Sequence, residues 1–146
     1  MENKFTIVSH DAVDGILGTA ERQSIPTLTM STEGRVGKQA FFASVRRSLP
    51  LDPPLEGSRS WDALSDSLWE GLHTMQVPHL ILVWIDAGTA EPQDEQDFQL
   101  ALWVLRDLTG SLSDADATNG EPTQLSVYVA VPTEAETATR RLLLQQ

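Results

Sequence analysis

Apolar residues recur along this chain in two rhythms, every second position or every third to fourth, which separates predicted strands from predicted helices. Residues 25–30 read as a short strand, introduced by Pro26 and closed by a turn at Glu33-Gly34. Over 37–49, Ala40, Phe41, Val45 and Leu49 fall at helical spacing, and Pro50, which has no amide to donate, stops the helix. Pro53, Pro54 and Gly57 leave only a loop for 51–57. A second helix is predicted over 60–73, with Ser60 as its N-cap and Gly71 weakening its far end. Residues 80–85 are an unbroken apolar run, the pattern of a strand buried on both faces. Phe98, Leu102, Leu105 and Leu108 mark a third helix, opened by Pro92 and several acids. Residues 111–123 are polar, contain Asn119-Gly120 and read as a long exposed loop, and 125–131 form a last strand ended by Pro132.

This order of strand, two helices, strand, helix, strand predicts an α/β fold with a parallel central sheet, since helical crossovers join parallel strands. Residues 25–132 make one domain, 1–24 an N-terminal extension and 133–146 a C-terminal tail. Two readings stay open: a further strand at 5–8, and a last helix in the tail.

At 146 residues, 40% of them hydrophobic, the chain has material for one domain with a real core. No apolar run approaches the roughly 18 residues that would cross a bilayer. Met1-Glu2-Asn3-Lys4 and the short patch at 5–8 are too brief for a signal peptide, so no targeting segment is expected. Cysteine is absent, which excludes disulfides, thiolate nucleophiles and cysteine zinc cages, and favours a cytoplasmic protein. With 21 acidic and 10 basic residues the net charge is -11. Such a surface repels phosphate backbones, so no direct nucleic-acid binding is expected. Solubility is the plain reading of this acidity; faster encounter with a basic partner is the specific one.

Motifs for catalysis fail on inspection. A phosphate loop around Gly37-Lys38 would need glycine at Thr32 and a hydroxyl residue at Gln39. A calcium loop from Asp114 and Asp116 would need glutamate where Leu125 stands. His10, His73 and His79 belong to no metal-binding pattern, His79 reading as a structural residue, and no nucleophile elbow is present. Neither an enzyme nor a cofactor or metal is expected.

The second helix carries the informative pattern. At about 100° per residue, Trp61, Leu64, Leu68 and Leu72 share one face, which should pack on the sheet. Asp62, Asp66, Trp69 and His73 gather on a neighbouring face, with Trp69 between the aspartates in projection. Like charges at this spacing cost a helix about 0.2–0.5 kcal/mol. Asp62, in the first turn, gains from the helix dipole; Asp66 lies deeper and gains little. The face is either a solvated surface or a binding surface.

The run Trp61-Asp62-Ala63-Leu64-x-Asp66-x-Leu68 resembles the Asn-Trp/Leu-Asp-Ala-Leu-x-Asp-x-Leu signature of the barstar family. Its context is similar as well: a helix ending at Leu49-Pro50, a proline-rich loop, the strand at 80–84 with Trp84, and the later Val104-Leu105-Arg106-Asp107. The resemblance spans about 27–131 and implies a barstar-like three-stranded parallel sheet flanked by helices. It also implies a cytoplasmic immunity protein, monomeric before binding, that inhibits a basic toxin, in this family a ribonuclease. The family's two signature aspartates carry over to Asp62 and Asp66, and a third acidic contact to Asp107. Arg59, Ser60, Trp61, Ser65, Trp69, Glu70 and His73 border them and complete the expected contact set. Departures are plain: 55–60 reads Leu-Glu-Gly-Ser-Arg-Ser, with serine for the family's asparagine and no aromatic pair. Arg59 puts a positive charge where a basic target would approach. Trp69 either replaces the missing aromatic contact or packs half-buried. The competing reading is a non-inhibitory interaction module on the same fold.

Overall fold

The computed structural model describes residues 4–57 and 59–145, which form four parallel strands and five α-helices. The strands are β1 (Lys4–Ser9), β2 (Thr27–Met30), β3 (His79–Trp84) and β4 (Gln124–Val131). The helices are α1 (Val13–Arg22), α2 (Lys38–Ser48), α3 (Trp61–Thr74), α4 (Glu95–Ser113) and α5 (Glu136–Leu144). The strands lie in the order β1, β4, β3, β2, with Lys4 beside Ser126, His79 beside Gln124 and Thr27 beside Ile81. The expected three-stranded sheet is therefore corrected to four strands. β1 pairs with β4 along its whole length, and its Phe5 and Ile7 join the main core.

The apolar run of β3 serves two cores. Leu80, Leu82 and Trp84 face a large cluster built with α2, α3, α4 and α5, whereas Ile81 and Val83 face a smaller one beneath α1. Topology explains the division. Crossovers between parallel strands are right-handed, so reversing direction along the sheet moves the connecting helix to the opposite face. The chain crosses from β1 to the far edge at β2 through α1, then returns through β3 to β4 by way of α2, α3 and α4.

α1 lies outside the elements predicted from the sequence. Val13, Ile16, Leu17 and Ala20 follow helical spacing and pack on the β3 face, yet Ala12 offers no side-chain cap to announce the start. The polar loop predicted from 111 begins only after Ser113. Leu112, Thr118 and Thr123 are buried, and Thr123 ties the loop down by donating from its amide to Leu112 O at 2.7 Å and from its hydroxyl to Val77 O at 2.8 Å.

A polar clasp fixes the route from β2 into α2. Asp86 accepts from the Ser31 hydroxyl at 2.5 Å and from the Thr32 amide at 2.9 Å. The Thr32 hydroxyl accepts from Trp84 Nε1 at 2.9 Å and donates to Arg35 O at 2.6 Å. Trp84 is fully buried and its ring meets Phe41 and Phe98. Trp84→Phe removes that indole donor and leaves a void beside two rings. Unfolding in urea is expected to reveal a loss of about 2 kcal/mol.

Candidate functional site

α3 begins where its sequence says it should. Ser60 is extended (φ -81, ψ 125), and its hydroxyl accepts from the Ala63 amide at 3.2 Å. Ser60→Ala is expected to lower stability by about 1 kcal/mol in a thermal melt, through loss of this cap. Leu64, Leu68 and Leu72 are fully buried, as the periodicity predicts. Trp61 departs from that reading: it is half-buried and lies on α2, stacked at 5.9 Å on Phe41 and edge-on at 5.0 Å to Phe42. The first turn of α3 is thus anchored to a neighbouring helix.

Asp62, Asp66 and Glu70 are exposed one turn apart along α3. Neither aspartate has a hydrogen bond or ion pair among the described residues, where the ion pairs are Arg106–Asp107 and Arg140–Glu136. Trp69 and His73, both half-buried, stack at 4.9 Å on the same side of the helix as the aspartates. His73 Nε2 is buried without a partner among the described residues, as is Nδ1 of the half-buried His79 at the start of β3. Ser65 is half-buried, and Arg59 is exposed just ahead of the cap. Asp107 sits apart from this cluster, on the outer side of α4 away from the buried Phe98, Leu102 and Leu105. Its side chain is 75% exposed, with a carboxylate oxygen 4.0 Å from Arg106 Nε. α4 itself packs against α3.

The loop ahead of α3 is held rather than loose. The Asp52 amide donates to Ser67 O at 3.0 Å, Arg46 Nε donates to Leu55 O at 2.6 Å, and the Pro50 carbonyl lies against Gly71. Gly71, expected to weaken the helix end, sits instead in a buried contact while α3 continues to Thr74. Sequence reading missed Lys38 and Arg46. With Phe42 they form a stripe along α2 at four-residue spacing, and Lys38 Nζ lies 5.6 Å from both the Phe42 and Trp61 ring centres. The spacing alone was a visible signal; its place beside Trp61 was not. Among the described residues no group of acids and histidines is arranged to hold a metal ion, and no helix is long and apolar enough to cross a membrane.

Chemically, the exposed carboxylates on a capped and packed helix can accept charge-assisted hydrogen bonds from a cationic surface. Fold and helix together define a small parallel α/β protein that displays a charged helical face on a rigid core. Residues 25–130, well over half of the chain, match the model of the family described as barstar, the barnase inhibitor, and the chain belongs to the barstar family. Neither curated proteins nor solved structures yield a match.

Proposed function

We propose that the chain is an immunity protein that binds and neutralises a cognate basic toxin, a ribonuclease, inside the producing cell. The observation that carries this reading is the pair Asp62 and Asp66, exposed and unpaired among the described residues on a helix whose other face is buried. A nuclease cleft holds phosphate with Arg, Lys and His, and developing negative charge with the same groups. Carboxylates fixed one turn apart take the place of that phosphate. The cap at Ser60, the Trp61 anchor and the pinned loop mean little ordering remains at binding, which favours affinity. The net charge of -11 speeds encounter with a basic partner. Asp107 on the adjacent helix adds a peripheral acidic contact.

The test is to look for a toxin encoded beside this chain's gene and to co-express the two. Immunity requires a complex that survives purification and abolishes the toxin's RNA cleavage. Binding without inhibition would support the interaction-module reading instead, and absence of any toxin partner would remove the immunity reading.

A further inference from the structure

Beside the acidic helix lies a notch of opposite character. Lys38, Gln39, Phe42, Ala43, Arg46 and Arg59 line a cavity of about 280 Å³ between α2 and the approach to α3. No carboxylate lines it, although acids outnumber bases by 21 to 10 in the chain. The cations are set against aromatic surface: Lys38 Nζ at 5.6 Å from the Phe42 and Trp61 ring centres, Arg46 Cζ at 5.7 Å from that of Phe42. Such contacts attract a cation to the ring face through the ring's quadrupole and help hold it at the notch. Arg46 is further fixed through Leu55 O, so it supplies a steady positive field. Arg59 is exposed and pairs with no acid among the described residues.

We propose that this notch receives an acidic side chain of the toxin, so that the partner surface is bipolar: a basic cleft opposite Asp62 and Asp66, and a carboxylate opposite Arg59 and Lys38. The inference rests on the immunity reading and adds to it the partner's second determinant. Trp61 separates the two halves, its ring under Lys38 and its next neighbour Asp62. A nucleic-acid strand fits poorly there, because its successive phosphates would run onto the α3 carboxylates. A single carboxylate does not, and the planar guanidinium of Arg59 can take it through two parallel hydrogen bonds.

The decisive variant is Arg59→Glu, measured against a catalytically silenced form of a ribonuclease toxin found encoded beside this gene. Long-range attraction alone makes this change favourable, because the inhibitor becomes more negative toward a basic partner. The proposal requires the opposite: affinity falls about tenfold or more, chiefly through faster dissociation, and Arg59→Gln falls between. Lysine replacement of one acidic toxin residue should restore binding to Arg59→Glu specifically. Unchanged or tighter binding of Arg59→Glu overturns the notch, and if Asp66→Ala still weakens the same complex, the immunity reading stands without it. No complex with the unaltered chain overturns both. An unchanged urea transition for Arg59→Glu ensures that binding and not folding is being read.

Discussion

Asp66→Ala is expected to weaken the proposed toxin complex by more than about 2 kcal/mol, or about 30-fold in Kd, while making the free protein slightly more stable. Barstar itself is a standard instance of such a charged anchor, so this magnitude follows the family precedent. The opposed signs come from the environment of the side chain. In the free chain Asp66 is exposed, has no partner among the described residues, and faces Asp62 and Glu70 one turn away on either side. Removing it relieves like-charge repulsion of about 0.2–0.5 kcal/mol per pair. Bound, it would leave desolvated cations of the cleft without their counter-charge, which is costly. Asp62→Ala should also weaken binding, yet without the gain in stability, since Asp62 sits in the first turn where the helix dipole favours it. Calorimetry with the toxin and thermal melts of the free variants measure the two quantities separately. Unchanged affinity for both variants would remove α3 from the interface.

What could be read from the sequence followed the reach of each signal. The α3 face was legible because its residues are neighbours in one helix and Ser60 caps it locally. β3 announced burial on both faces, but not what covered the second one. That cover, α1, has the right apolar spacing at Val13, Ile16, Leu17 and Ala20, interrupted by Gly15 and Gly18 and lacking a capping side chain. Its stability comes from packing on Ile81 and Val83, a contact across some sixty residues of chain that no local pattern encodes. The same holds for Lys38 and Arg46. Their stripe on α2 acquires meaning only when Trp61 is laid on Phe41 and Phe42. The segment after α4 misled for a related reason: its Ser, Asp and Thr residues favour turns, yet the backbone and hydroxyl of Thr123 are recruited into the core's edge.

Gly71→Ala is expected to destabilise the protein by about 3 kcal/mol or more, against the usual sign for this substitution in a helix. In an exposed helix the change gains about 0.5–1 kcal/mol, because alanine leaves less backbone entropy to lose on folding. At Gly71 an added Cβ would stand 2.2 Å from the Pro50 carbonyl oxygen and 2.5 Å from its carbon. Both obstacles are backbone, so no rotamer change relieves them. Pro50 cannot yield freely, since it follows Leu49 in the core and precedes Asp52, whose amide is bonded to Ser67 O. Either α3 must lift Leu64, Leu68 and Leu72 out of the core, or the loop must leave α3. Gly110 is the internal control: it lies exposed in α4, and a Cβ there meets nothing within 4 Å. Gly110→Ala should therefore stabilise the chain in the same urea titration, and equal effects at the two sites would contradict the close approach of Pro50 to α3. Because that approach also sets the position of the loop leading to Arg59 and Ser60, Gly71→Ala should loosen the proposed toxin complex even where the protein remains folded, although residue 71 faces the core.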